Sequence, residues 1–304
     1  MTSYKEYESC TLCPRRCSIN RYKARGYCNE LNTLHVARAA LHMWEEPCIS
    51  GSSGSGTVFF SGCNMGCVFC QNRKISRGEI GENISVERLS EIFFELKDKG
   101  ANNINLVTGD MFIPSIRTAI ETAKKNGIRI PFLLNTSSYL CTDTVRSLDG
   151  LIDIYLPDFK YIREEDAVKY SNAPDYVTAA KEAIDEMVRQ CPVLSFDEKK
   201  IMKKGVIIRH LLMPGMLIQA KLIVKYLHQK YADKVYLSLL NQYTPNGALS
   251  AFPEIDRKVT GYEYKSLVDY AAGLGIKNCF IQVGDTAKES FIPDFDCRGV
   301  LPDT

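Results

Sequence analysis

The chain has 304 residues, 45% of them apolar and 24% charged, an ordinary globular composition that excludes a disordered or fibrous protein. Lys and Arg number 38 against 36 Asp and Glu, a formal charge of +2, so no net field marks a nucleic-acid partner or an anionic membrane. A chain of this size buries roughly three quarters of the surface its unfolded form exposes, so its twelve cysteines are not needed as disulfides.

Met1 to Cys10 hold Lys5, Glu6 and Glu8 and no apolar run, unlike a secretory signal. The most apolar later stretch, Val206 to Ile218, is broken by Arg209 and His210 and is too short to span a bilayer. The expectation is a cytoplasmic protein with no membrane segment and no nucleic-acid partner. In that reducing compartment closely spaced cysteines serve as metal ligands or redox groups.

In chain order, residues 1–56 read as a small Cys-rich, turn-rich module that ends in a Gly- and Ser-rich loop, Gly51 to Gly56. Within it Cys10-x2-Cys13-x3-Cys17-x10-Cys28 has the spacing of either a four-cysteine zinc site or a second 4Fe-4S cluster. Spacing leaves that choice open. Arg15, Arg16, Arg21, Lys23 and Arg25 interleave with these cysteines and suit an anionic cluster or partner, or simply a solvated basic loop. Cys48, Cys141, Cys191, Cys279 and Cys297 are scattered and read as small buried hydrophobes; Cys48 stands out for lying just before the first strand of the next region.

From Thr57 short apolar runs alternate with amphipathic helical stretches, the pattern of βα units around a parallel sheet. Strands are predicted at Thr57 to Ser61, Asn103 to Thr108, Pro131 to Asn135, Ile152 to Leu156, Gly205 to Leu212 and Lys234 to Leu239. A helix opens after Ser85, places Leu89, Ile92, Phe93 and Leu96 on one face and stops at Gly100. Others run from Asp175 to Gln190 and from Leu217 to Tyr231. The fold class is therefore α/β, a partial (β/α)6 barrel over 57–240 behind the Cys-rich module. Residues 241–304 form a C-terminal extension near the barrel mouth, with a helix at Gly261 to Gly273 and a strand at Cys279 to Val283.

Parallel βα barrels carry their reactive groups at the C-terminal ends of the strands. There, directly after the first predicted barrel strand, stands Cys63-Asn-Met-Gly-Cys67-Val-Phe-Cys70. Three thiolates in eight residues can hold three irons of a 4Fe-4S cluster and leave the fourth iron open to the amino and carboxylate groups of a bound molecule. The alternatives are a zinc site borrowing a distant fourth ligand and a set of buried thiols.

The C-x3-C-x2-C loop, with aromatic Phe69 before its last cysteine, resembles that of the radical S-adenosylmethionine superfamily. More narrowly, the chain resembles the pyruvate formate-lyase activating enzymes and a cysteine-extended group of their relatives. The latter likeness extends through Cys10-Thr-Leu-Cys13-Pro-Arg-Arg-Cys17, Glu46-Pro-Cys-Ile-Ser-Gly51 and Asn103 to Thr108. The resemblance implies a catalytic 4Fe-4S cluster on Cys63, Cys67 and Cys70, S-adenosylmethionine as cofactor and an external electron donor of flavodoxin or ferredoxin type, under anaerobic conditions. It also implies cofactor contacts at Phe69, Gly109, Asp110, Asn135, Asp158, Lys160, Arg209 and Gln242. Gly109 would admit the ligand and Asp110 would accept from its ammonium; Asn135 and Asp158 would meet ribose hydroxyls, and Lys160 a carboxylate. Arg209 would face a carboxylate of the cofactor or of a peptide, unless it pairs with Asp153 or Asp158. Gln242 or Tyr243 stands where the activating enzymes have a histidine. His210 is read as a ligand, a proton carrier or a hydrogen-bonded core residue. The implied activity is reductive cleavage of S-adenosylmethionine to a 5'-deoxyadenosyl radical that takes a hydrogen atom from a substrate protein, as in glycyl radical activation, or from a small molecule. The rival reading is a non-catalytic iron-sulfur carrier or zinc-containing adaptor.

Overall fold

The computed structural model describes residues 3–246, 249–282 and 293–302. Its strands are β1 (Leu34–His42), β2 (Ser55–Phe60), β3 (Glu82–Ile84), β4 (Ile104–Val107), β5 (Phe132–Thr136), β6 (Ile154–Pro157), β7 (Ser195–Phe196), β8 (Met202–Leu211), β9 (Tyr236–Leu240) and β10 (Cys279–Ile281). The sheet order is β10-β9-β8-β6-β5-β4-β2-β1-β3. From β2 to β10 neighbouring strands are parallel, while β1 is antiparallel to both β2 and β3. β2, β4 and β6 are buried along their whole length, as a parallel sheet covered on both faces requires.

The helices are α1 (Lys5–Glu8), α2 (Pro47–Ser50), α3 (Arg73–Ser76), α4 (Val86–Asp98), α5 (Ile113–Lys125), α6 (Thr142–Arg146), α7 (Glu164–Ser171), α8 (Tyr176–Gln190), α9 (Leu217–Tyr231) and α10 (Gly261–Gly273). The apolar face expected for α4 is buried, and the Ser85 hydroxyl caps it by accepting from the Arg88 amide. No helix among the described residues is long and apolar enough to cross a membrane.

The interior of the barrel is filled from below by the segment that carries α2. Cys48 and Ile49 pack there with Leu133, Ile154, Leu156, Met202 and Ile207, so Cys48 acts as a buried hydrophobe. The larger core lies between the sheet and its helices.

Three features differ from the sequence expectation. The stretch read as a wholly appended module contributes β1 to the sheet, because Leu34-His-Val-Ala-Arg-Ala-Ala-Leu-His pairs along β2 and lays Leu34, Val36, Ala37 and Ala39 into the core. Ser55 and Gly56, read as loop, open β2. The tail divides: residues 241–246 lie beside the cysteine loop, whereas Cys297 and Arg298 hydrogen-bond to Ala37 and Ala39 of β1. Val283, the last residue of the predicted tail strand, lies outside the described residues.

Candidate active site

β2 delivers the chain to the C-terminal face of the sheet, where Gly62 turns it at φ +82° into the cysteine loop. A Cβ at Gly62 would strike the Glu30 side chain and lie 2.7 Å from the Cys28 carbonyl oxygen, so only glycine fits the turn. The loop is gripped from three sides. The Gly66 and Val68 amides donate to the carbonyls of Ser171 and Tyr170 at the end of α7, each at 2.9 Å. Asn246 donates to the Val68 carbonyl at 2.8 Å, and Gln71 to that of Gln242 at 2.7 Å. From the N-terminal segment, Arg15 donates to the Asn64 carbonyl at 2.7 Å while its guanidinium lies 3.4 Å above the Tyr27 ring.

The sulfurs of this loop face polar groups. The Ser171 hydroxyl donates to Cys67 Sγ at 2.9 Å, and the Met65 amide to Cys63 Sγ at 3.4 Å. Burial pushes the Cys63 and Cys67 thiols up, so metal loading must displace protons there. No sequence signal pointed to Ser171, which is 104 residues from Cys67 and is supported in turn by the Tyr161 hydroxyl at 2.6 Å.

Around the loop stand the other strand ends. Asp110 follows β4 and is buried; its Oδ2 accepts from Thr136 Oγ1 at 2.9 Å and from Ser137 Oγ at 3.3 Å, while Oδ1 is buried with no partner. Burial pushes its carboxyl up to about 7, against the pull of those two hydroxyls. Thr108, just before it, sits at φ +57°, a conformation that costs a β-branched residue energy and recurs at functional sites. One interior layer above Leu133, Leu156 and Ile207 come Asn135 of β5, Asp158 just past β6 and Arg209 of β8, each two residues further along the chain. The Asn135 side chain is half-buried at the end of β5. Asp158 is paired with the Lys160 ammonium. Burial works against the Lys160 charge, yet Asp158 and then Cys67 hold its pKa above the usual lysine range.

Several expected roles change. Arg209 lies in the right layer, but its guanidinium is engaged by Glu45 and Glu46, with Nε 2.9 Å from Glu46 Oε1. Neither Asp153 nor Asp158 is its partner, and two carboxylates already neutralise it. Gly109 has φ −81°, and a Cβ there would come within 2.5 Å of Ile116 Cδ1 and 3.3 Å of the Phe60 ring, so close packing under α5 favours a glycine at this turn. Phe69 is buried against Tyr243, with ring centroids 5.9 Å apart, and the Tyr243 hydroxyl donates to Ile255. The Gln242 side chain is taken by Gln282 at 2.9 Å. His210 shares a hydrogen bond with the Phe159 carbonyl through Nδ1, and burial lowers its pKa to about 4, so it is a neutral core residue at pH 7.

The four N-terminal cysteines line one small cavity with Arg15, Arg21, Gly26 and Tyr27, and its wall reaches Asn64 and Asp110. Cys141 joins this neighbourhood through its amide, which donates to the Leu12 carbonyl at 3.2 Å. Among the described residues no three His, Cys, Asp or Glu side chains converge closely enough to share a single metal ion. At the opposite end of the barrel a cavity of about 610 Å³ is lined by Cys48, Phe196, Lys199, Lys200, Tyr236 and Phe280. It opens at the N-terminal strand ends, away from the face where parallel barrels place chemistry.

The residues at the C-terminal face fit a cluster with an open iron and a bound amino acid derivative: three thiols on one loop and an orphaned buried carboxylate oxygen. The chain is 28% identical over 272 residues to an uncharacterized protein of Methanocaldococcus jannaschii, MJ0674, covering 87% of this chain and 75% of that one. Among solved structures, Streptococcus suis SuiB bound to precursor peptide SuiA superposes with a TM-score of 0.50 at 13% identity, over 74% of this chain and 47% of SuiB. The match thus spans about half of SuiB's length. The FeFe-hydrogenase maturase HydG of Carboxydothermus hydrogenoformans gives a TM-score of 0.44 at 16% identity, over 69% of this chain and 49% of HydG. Residues 57–220, which run from β2 into α9 and contain the cysteine loop and all the strand-end residues up to Arg209, match the Radical SAM superfamily, and the chain belongs to that superfamily.

Proposed function

We propose that the protein uses a 4Fe-4S cluster on Cys63, Cys67 and Cys70 to cleave S-adenosylmethionine reductively and to start hydrogen abstraction from a substrate at the barrel mouth. Cys63, Cys67 and Cys70 would hold the cluster, which with bound S-adenosylmethionine would supply the one-electron reductive cleavage of the sulfonium. The chain's own residues orient and enclose. Asp110 Oδ1 is the acceptor for the cofactor ammonium, because it is a buried carboxylate oxygen without a donor. Asn135 and Asp158 face the same interior and offer an amide and a carboxylate to ribose hydroxyls. Lys160, held between Asp158 and Cys67, places a fixed positive charge beside the cluster sulfurs. Arg209 is left out of this set because Glu45 and Glu46 already engage it.

The observation that carries the reading is the cysteine triad at the end of β2 beside that orphaned oxygen. Two substrates stand side by side: a glycyl residue of a partner enzyme, as in the activating enzymes the chain resembles, and a small molecule or a different peptide. Reconstitution with iron and sulfide under anaerobic conditions, followed by dithionite and S-adenosylmethionine, is expected to yield 5'-deoxyadenosine, and Cys63→Ala to abolish it. Wild-type protein with a full cluster and no 5'-deoxyadenosine would favour the iron-sulfur carrier instead. A glycyl radical signal on mixing with a glycyl radical enzyme would identify the activating role.

A further inference from the structure

The N-terminal segment poses a question of charge and of stability. Between residues 3 and 33 its regular structure is the four-residue α1, and its own apolar cluster consists of Tyr4, Tyr7, Cys10 and Leu12. So small a core of its own leaves the segment reliant on its contacts with the barrel, such as Tyr7 to Ser115 and Arg21 to Met111, and on whatever its four cysteines bind. The turns are nonetheless tight. The Ser18 amide donates to Cys10, the Arg16 amide to Cys13 and the Asn29 amide to Gly26, at 2.9–3.0 Å. Arg16, Ser18 and Asn29 all take positive φ, between +41° and +64°. These turns aim the cysteines inward: a Cβ at Gly26 would lie 3.4 Å from Cys28 Sγ and 3.6 Å from Cys17 Sγ.

Beside this cavity Arg21 is 0% exposed. Its hydrogen bonds go to the carbonyl oxygens of Glu30, Leu31 and Met111, and its guanidinium lies over the rings of Tyr7 and Phe112. Among the described residues no carboxylate forms an ion pair with it. A guanidinium keeps its charge wherever it is buried, and a buried charge without a counterion is costly. Four thiolates around a metal centre would supply the missing negative charge. All four line one cavity, as a four-thiolate metal centre requires.

We propose that Cys10, Cys13, Cys17 and Cys28 hold a 4Fe-4S cluster, with Arg21 as its buried counter-cation, set against the Cys63 loop so that it passes electrons there. The Cys63 amide donates to the Cys28 carbonyl at 3.3 Å, and Gly62 packs on the same carbonyl, so the two ligand sets adjoin. A flavodoxin- or ferredoxin-type donor loses one electron, the N-terminal cluster gains and releases it, and no atom or proton is transferred on that cluster. The destination of the electron rests on the function proposed above; the N-terminal cluster itself does not.

The test compares reconstituted wild-type protein with C10A/C13A and C63A/C67A/C70A by iron, zinc and acid-labile sulfide content and by electron paramagnetic resonance after reduction. The expected iron content is about eight per chain in the wild type and about four in each variant, with spin-spin broadening in the wild type alone. About four irons in the wild type, all lost in C63A/C67A/C70A, or one zinc retained by that variant, would overturn the N-terminal cluster and leave the radical reading intact. Iron lost only from C10A/C13A would instead overturn the Cys63 ligand set. Because C10A/C13A can simply fail to fold, Arg21→Gln and Arg21→Lys provide an independent arm. In the C63A/C67A/C70A background, R21Q should move the cluster's potential to more negative values, since the cation stabilises the reduced form, and R21K should stay near wild type; no shift in R21Q would remove Arg21 as counter-cation.

Discussion

Asp110 has two oxygens in unequal surroundings, one held by Thr136 and Ser137 and the other bare. Asp110→Asn should weaken S-adenosylmethionine binding by about 2 kcal/mol, or about 30-fold, measured by titration calorimetry on cluster-loaded protein. The same residue makes a second, opposite prediction for the cofactor-free protein. Its folded pKa of about 7 lies above the usual aspartate value, so the folded state binds the proton more tightly and stability falls as pH rises from about 4 to about 7. D110N should therefore be more stable than wild type at pH 8, by an amount on the order of 4 kcal/mol, and show little gain at pH 4. Equal effects at both pH values would show that burial does not perturb this carboxyl. The position of Asp110 was legible in the sequence as the residue after a strand. Its lone oxygen was not, because the hydroxyls that occupy the other one come from the end of the next strand. Arg209 was misread for the same reason: its carboxylate partners lie 163 and 164 residues away, and an arginine in an apolar strand announces only that some anion must exist.

The end of α7 is the element nearest to the chemistry that sequence pattern could not connect to it. Through Tyr170 and Ser171 it binds the cysteine loop by two backbone hydrogen bonds and one hydroxyl-to-sulfur bond. Donors to cluster sulfurs raise the reduction potential. Ser171→Ala should lower that of the Cys63 cluster by about 1 kcal/mol, or about 40 mV for one electron, seen by redox titration; an unchanged potential would mean that the hydroxyl is satisfied by Tyr161 alone. The barrel strands were legible because runs such as Thr57-Val-Phe-Phe and Ile104-Asn-Leu-Val are too short and too apolar for anything but a covered parallel sheet. α9 and α10 have the bounds their periodicity gave. β1 was hidden, since Ala-Arg-Ala-Ala has poor strand propensity and its pairing with β2 decides its conformation.

The whole molecule is a partial barrel whose lumen is plugged by its own chain. Glu45 and Glu46 lead into α2 and hold Arg209 from below, Asn105 donates to Glu45 at 2.7 Å, and α2 fills the space beneath. Arg209→Met should cost about 4 kcal/mol of stability by leaving two buried carboxylates unpaired, and adding E45Q and E46Q should restore most of it in thermal melts. A loss of S-adenosylmethionine affinity without a drop in melting temperature would return Arg209 to the cofactor. Closure of the sheet has a further consequence at its other margin. The outer edge of β1 is covered at Ala37 and Ala39 by Cys297 and Arg298, Phe295 packs on Phe59, and Val300 accepts from Arg88 of α4. Those residues leave the ribosome some two hundred and sixty positions after the strand they protect. Throughout that interval this stretch of β1 presents open backbone donors and acceptors, so its exposure to mispairing with other chains ends only when residues 295–300 arrive.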